Sequence, residues 1–169
     1  MPAGKTYTPL ARTTLTTSTG TVTFSNIQQT YTDLILIGSL QGSRALYGAD
    51  LYTRLNSDTG SNYSYTYMTG NGSAASSNRY SSQTAMNFAG SIGGGGSNEY
   101  NVSVLHFMNY ANTTTYKTVL ARNNHATQQT QAFVGLWRNT AAITTITFTG
   151  NGYNFEAGST FTLYGILAA

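Results

Sequence analysis

Apolar residues alternate with polar ones in several short runs of this sequence. The pattern is clearest in Thr21–Phe24, in Leu51–Leu55 and in residues 145–149. A period of two places apolar side chains on one face of a β-strand and polar side chains on the other. No long stretch repeats apolar residues at the i, i+3, i+4, i+7 spacing of an amphipathic helix. The sequence therefore predicts many short strands and very little helix.

Further runs rich in Thr, Val, Ile and aromatic residues are predicted as strands, since these residues favour the pleated conformation. Segments rich in Gly, Asn and Ser separate them and favour turns. We therefore predict an all-β, antiparallel two-sheet sandwich that is jelly-roll-like. The length of 169 residues suits one domain, with 1–15 as an N-terminal arm and first edge strand and 16–169 as a single β-sandwich domain. The further strands are predicted at 10–15, 33–40, 63–68, 83–88, 100–110, 116–122, 132–137 and 160–167.

Two segments depart from simple alternation. Residues 69–82 contain almost no large apolar side chain, which predicts a long exposed loop of the kind that often carries binding function. Residues 34–37, Leu-Ile-Leu-Ile, are instead apolar on both faces of their strand. An antiparallel sandwich strand of that kind needs a cover over its outer face. The sequence leaves open whether the cover is a loop, the N-terminal arm or a neighbouring subunit.

Charged residues are unusually scarce, and this limits the possible functions. They make up 8% of the chain, against about 25% in a typical globular domain. The eight Lys and Arg residues occur singly, whereas nucleic-acid binding needs them clustered on one face. We therefore expect no nucleic-acid partner, and the five acidic residues and two histidines are too few and too dispersed for us to predict an enzyme or any catalytic residue.

The sequence also argues against a protein that is cross-linked by disulfides, binds a metal ion or is inserted in a membrane. It has no cysteine, which excludes disulfides and thiolate zinc sites. The start of the chain has no apolar stretch of signal-peptide length, and the run 34–37 is far too short to span a bilayer. We expect folding in a cytosol without membrane insertion, and we predict neither a cofactor nor a metal site.

Three acid or base groups deserve a specific interpretation. The triplet Asp58-Thr59-Gly60 occurs in aspartic proteases, where it follows an apolar strand. Here it lies among Asn and Ser residues, which predicts a surface turn. His106 shares alternate positions with Val102 and Val104, which predicts a neutral histidine on a buried face. His125 lies in a polar segment, and no set of zinc or calcium ligands surrounds either histidine in the sequence.

Tyrosine is abundant, with thirteen copies beside the single Trp137. Tyr63, Tyr65 and Tyr67 fall on one face of their predicted strand. Tyrosine rings suit cross-strand packing, protein interfaces and sugar recognition alike. All three interpretations remain open at this stage.

Several segments resemble small virion structural proteins of tailed bacteriophages. These are residues 7–11 (YTPLA), 21–27 (TVTFSNI), 30–34 (TYTDL), 54–64 (RLNSDTGSNYS), 141–144 (AAIT) and 155–166 (FEAGSTFTLYGI). They span nearly the whole chain and are strand and turn signatures. The resemblance implies a jelly-roll-like sandwich displayed on the particle surface, often as a homotrimer. It carries over no catalytic residue.

The resemblance favours a capsid decoration, or cement, protein that stabilises the head lattice. Such a protein would be assembled in the host cytoplasm, reside on the virion surface, and have itself and the major capsid protein or other virion components as partners. Buried apolar side chains would hold it in place. The interface candidates are Tyr7, Leu10, Leu15, Ile35 and Ile37.

The alternative expectation is a tail-fibre or baseplate module that recognises a host surface glycan. Aromatic rings would supply the contact with sugar. The glycan-contact candidates in that case are Tyr63, Tyr65, Tyr67 and Trp137.

Overall fold

Twelve strands make up the regular structure of the chain in a computed structural model, which describes residues 6–44, 50–88, 92–94 and 98–167. These ranges contain no helix, and therefore no helix that is long and apolar enough to cross a membrane. The strands are β1 (Tyr7–Thr14), β2 (Thr21–Phe24), β3 (Asp33–Leu40), β4 (Leu51–Leu55), β5 (Tyr63–Gly70), β6 (Ala75–Gln83), β7 (Met86–Asn87), β8 (Asn101–Phe107), β9 (Lys117–His125), β10 (Gln129–Trp137), β11 (Ile146–Gly150) and β12 (Thr160–Ile166).

The strands form two antiparallel sheets, which confirms the predicted two-sheet, jelly-roll-like sandwich. The larger sheet has eight strands in the order β1-β12-β3-β8-β9-β10-β5-β6, and the smaller has four in the order β2-β11-β4-β7. Every pairing between these strands is antiparallel. Strands β1 and β6 therefore lie at the two edges of the larger sheet.

The core lies between the sheets because alternate residues of each strand point inward. Leu36, Leu105, Ala121 and Phe133 stand in register across four neighbouring strands of the larger sheet, and each is buried. Aromatic rings close the gap to the smaller sheet, with Phe148 stacked on Phe161 at a ring-centroid distance of 5.7 Å. Dispersion and removal of apolar surface from water hold the two layers together.

The prediction of a loop over residues 69–82 is wrong. Strand β5 continues to Gly70, and Ala75–Gln83 forms β6, paired with β5 along its length. The segment is exposed, as predicted, and this exposure explains the error: β6 is an edge strand without a buried face, so it needs no apolar alternation. Backbone hydrogen bonds to β5 define it, and these leave no sequence signature.

Residues 7–14 of the predicted N-terminal arm belong to the larger sheet. Strand β1 pairs with β12 from Tyr7 to Thr14, with a shift of register between Pro9 and Ala11. Residues 1–5 of that arm lie outside the described residues.

Candidate functional site

An apolar surface covers the side of the larger sheet that faces away from the core. We call it the outer face. Its residues alternate with core residues along five adjacent strands, so each is placed by the same period of two that builds the core. They are Ile35 and Ile37 of β3, Val102 and Val104 of β8, Leu120 of β9, Ala132, Val134 and Leu136 of β10, and Met68 of β5.

Much of the outer face is accessible to solvent. Ile37, Leu120, Val134, Val102 and Met68 are between 41% and 66% exposed. The prediction that residues 34–37 are apolar on both faces is confirmed, since Leu34 and Leu36 point into the core while Ile35 and Ile37 point outward. Of these two outward side chains, Ile37 is 41% exposed while Ile35 is only 9% exposed, so among the described residues it is Ile37 that stays accessible. A contiguous apolar surface of this kind is typical of a contact surface for another molecule.

One cation lies in the middle of the apolar outer face. The register places Arg122 of β9 between Val104 of β8 and Ala132 of β10. Its side chain is exposed. Across the parts of the chain that the structure describes, no carboxylate lies within ion-pair distance of this guanidinium.

The carboxylate of Asp33 lies at one end of the outer face. Asp33 Oδ2 is 2.8 Å from His106 Nε2, and the Asn109 backbone N–H donates to Asp33 Oδ1 at 2.6 Å. The two side chains are 21% and 30% exposed, respectively, for Asp33 and His106. A carboxylate has about four lone-pair sites, so Asp33 retains acceptor capacity beyond these two partners.

The prediction that His106 lies on a buried face is wrong, because the buried residues of β8 are the other alternate set. The buried residues of β8 are Asn101, Ser103, Leu105 and Phe107, whereas His106 shares the outer face with Val102 and Val104. Because residues 101 and 103 are polar, the sequence does not show that their face of β8 points inward. They are tolerated because Ser103 Oγ lies 2.8 Å from Asn101 Oδ1 and 2.9 Å from Asn123 Oδ1.

Two shallow grooves run across the outer face. One has a volume of about 540 Å³ and lies between β5, β6 and β10, beside Met68 and Ala75. The other has a volume of about 370 Å³ and lies over β3, β8 and β9, beside Ile35 and Leu120. Both are lined by Arg122 and Ala132, so they meet at the centre of the face.

The five predicted interface residues do not lie together. Ile35 and Ile37 are on the outer face, and Tyr7 is exposed at its β1 edge, with its ring 6.1 Å from that of Tyr164. Leu10 and Leu15 are partly buried and pack against the core instead. The other apolar residues of the outer face were not predicted. For β8, β9 and β10 the sequence alone does not show which face of the strand points outward, since strand pairing decides it.

Three of the four predicted glycan contacts are buried. Tyr63 and Trp137 are 0% and 1% exposed, and Tyr65 is also buried. Burial raises the pKa of the Tyr63 hydroxyl to about 12. These three rings are core residues that offer almost no surface to a sugar, while Tyr67 is only partly buried.

A different tyrosine is exposed at the β6 edge of the larger sheet. Tyr80 of β6 is 40% exposed. Its ring stacks on Tyr65 at 5.0 Å and on Tyr67 at 6.4 Å between centroids. Sequence reasoning missed Tyr80 because it lies in the segment that was predicted to be a loop.

Asp58 lies in the turn between β4 and β5, as the sequence predicts, and it anchors that turn. Its carboxylate accepts hydrogen bonds from Trp137 Nε1 at 2.7 Å, from Asn62 Nδ2 at 2.9 Å and from the Gly60 backbone N–H at 2.8 Å. Burial by itself would raise the pKa of Asp58, but these three donors outweigh it and lower the pKa below its usual value of 3.8. The role of this carboxylate is therefore structural.

Asp58→Asn is expected to flatten the acid limb of the stability curve. A carboxyl whose pKa is lowered on folding contributes stability above its usual pKa, and that stability is lost as the pH falls through the lower folded value. Asparagine keeps an acceptor for Trp137 but does not titrate. Urea unfolding of both proteins between about pH 6 and pH 3 measures the slope. Parallel curves for wild type and variant would contradict the assigned role.

His125 ends β9 and is buried at the inner side of the sheet. Its Nε2 lies 3.5 Å from Glu99 Oε2, and its Nδ1 lies 3.2 Å from Thr127 Oγ1, which in turn donates to Glu99. The carboxylate could not be expected beside His125 from the sequence, because Glu99 is distant from it along the chain. Among the described residues, no group of three or more His, Asp or Glu residues is placed to hold a metal ion.

No protein family model and no curated protein matches the sequence. Among solved structures, the chain is similar to the galectin LEC-6 of Caenorhabditis elegans, with 11% identity, a TM-score of 0.40, and coverage of 89% of this chain and 94% of that one. It is also similar to the marine PL-14 alginate lyase from Aplysia kurodai, with 10% identity, a TM-score of 0.36, and coverage of 85% and 72%. Likeness at this distance assigns no activity to the chain.

Proposed function

We propose that the protein is a non-enzymatic surface protein of a bacteriophage particle, a decoration protein that stabilises the head lattice by contact, as a homotrimer. The observation that carries this proposal is the accessible apolar outer face of the larger sheet. A protein with no binding role at this surface would gain solubility from charged residues there. Here the central strands instead present Ile, Val and Leu to solvent.

The energetics of such a contact support the proposal. Apolar area removed from water is worth about 25 cal/mol per Å² before the costs of association are subtracted. Charged groups add to those costs because they must lose water at the interface. The centre of the outer face has Arg122 as its charged side chain, with Asp33 nearer one end, so little of the apolar gain is lost to desolvation.

A tail-fibre or baseplate module that binds a host glycan is the second candidate function. The observation in its favour is the exposed Tyr80 ring, which lies beside Tyr67 with an angle of 8° between the ring planes. Asn78 Nδ2 donates to Tyr67 Oη at 3.3 Å in the same place. Aromatic faces beside amide groups suit sugar recognition.

Immunogold labelling of the phage that encodes the chain tests both functions in one experiment. Particles purified from infected cells are incubated with an antibody raised against the recombinant protein and imaged by electron microscopy. Gold over the heads is the expected result. Gold confined to the tail tip would replace the decoration role with the glycan-binding one. Intact particles that contain no protein detectable with the antibody would reject both.

A further inference from the structure

We infer that the outer face binds a second copy of this chain, with Arg122 of one copy paired to Asp33 of the other. The inference rests on the proposed function, in which the outer face is the contact surface, and it names the partner and the residues that set the register. It requires that the face be large enough, that its charges complement one another, and that Asp33 be able to accept a further donor.

The dimensions of the larger sheet meet the first requirement. The five strands that carry the apolar residues, spaced about 4.8 Å apart, span about 19 Å, and seven to nine residues at about 3.3 Å each give about 25 Å along the strands. The resulting area of about 480 Å² per copy, or about 960 Å² for two copies, is close to the roughly 1,000 Å² in total that marks the lower limit of a specific protein interface. A second copy offers a surface of the same extent and the same apolar character.

The charges meet the second requirement. Four arginines lie on the described outer face: Arg12 and Arg79 on the two edge strands, Arg122 at the centre, and Arg138 just after β10, where its guanidinium donates to Ser64 Oγ of β5. Asp33 is the one carboxylate of that face within the described residues. An arginine buried in an apolar contact needs a carboxylate opposite it, since an unpaired buried charge costs several kcal/mol.

Within one copy, Arg122 cannot use Asp33. Asp33 is on β3 and Arg122 on β9, two strands away, and the register sets them four residues apart along the strand direction. This corresponds to about 16 Å between their backbones. Two facing copies related by a two-fold axis can bring the guanidinium of each onto the carboxylate of the other.

Asp33 meets the third requirement because its partners hold it in place without saturating it. His106 and the Asn109 backbone N–H fix the orientation of the carboxylate. An arginine added to this group would form a charge-assisted hydrogen bond, which is stronger than a neutral one. His106 is thus a positioning residue for the contact.

A charge-swap cycle tests the pairing by sedimentation equilibrium of the full chain. We expect wild type to have a mass above the 18.1 kDa of one chain. Arg122→Asp and Asp33→Arg should each weaken self-association about 10-fold or more, while the double variant should recover to within about 3-fold of wild type. Arg12→Asp makes the same substitution at the β1 edge and should change the association less than about 3-fold.

Asp33→Arg also removes the partner of His106. A second variant therefore distinguishes loss of the Arg122 pairing from misfolding. Asp33→Asn keeps an acceptor for the Asn109 N–H and removes the charge, and it should weaken association with an unchanged thermal unfolding midpoint. A wild-type protein that stays at 18.1 kDa, or a double variant no better than the single ones, would refute the inference. Gold-labelled heads with a monomeric protein would leave the decoration role standing without the homotrimer; self-association without labelled particles would leave the inference standing without the decoration role.

Discussion

Trp137→Ala is expected to lower the free energy of unfolding by about 3–5 kcal/mol, the range for removal of a large buried aromatic side chain. Trp137 is 1% exposed and stacks on Tyr63 with a ring-centroid distance of 6.4 Å. The substitution leaves a cavity between the sheets and removes the hydrogen bond to Asp58. Since a domain has about 5–15 kcal/mol of stability in total, the loss is a large share of it. Urea unfolding at neutral pH measures the change.

Two further substitutions separate packing from hydrogen bonding at this position. Trp137→Phe keeps an aromatic ring and loses the N–H donor to Asp58, so it should cost less than Trp137→Ala. Tyr116→Ala removes a ring that is 54% exposed and should change stability by less than about 0.5 kcal/mol. If Trp137→Ala behaved like Tyr116→Ala, the ring could not be part of the core.

The sequence predicted strands well where one face is apolar and the other polar. Thr21–Phe24 and Leu51–Leu55 have their predicted bounds, because burial of one face requires the alternation that was visible. Asp33–Leu40 also has its predicted bounds, although its residues 34–37 are apolar on both faces. Strand β6 was missed for the converse reason, since both of its faces are exposed. Its pairing with β5 is made by the backbone, and Tyr80, which stacks on Tyr65 and Tyr67, adds a side-chain contact that local alternation does not reveal.

Strand β8 illustrates a different failure, in which the strand was found but its faces were exchanged. Its outer face has valines at 102 and 104, whereas its inner face has Asn101 and Ser103. By hydrophobicity alone the valines should be inside. Ser103 Oγ has one possible acceptor in β8, Asn101, and one in β9, Asn123, and an acceptor that folding brings in from β9 has no local signature in β8.

The candidate site was visible in the sequence only at residues 34–37. The rest of the outer face comes from β5, β8, β9 and β10, each of which presents one or more apolar side chains beside polar ones. These side chains form one surface because of the strand register, which pairs Ile37 with Val104 and Val104 with Arg122. Pairings between residues so far apart along the chain are the part of a β fold that local patterns do not encode.

Gly150→Ala is expected to lower the free energy of unfolding by about 3 kcal/mol, the upper part of the range for overpacking a filled site. A Cβ at this position would clash with the backbone oxygen of Tyr153. That segment cannot easily retreat, because Tyr153 is buried and its hydroxyl donates to the Asp50 carbonyl. Gly70→Ala is the matched control, since no atom lies within 4 Å of a Cβ there, and it should cost less than about 0.5 kcal/mol. Equal unfolding midpoints in urea for the two variants would show that the chain after β11 does not fold back over Gly150.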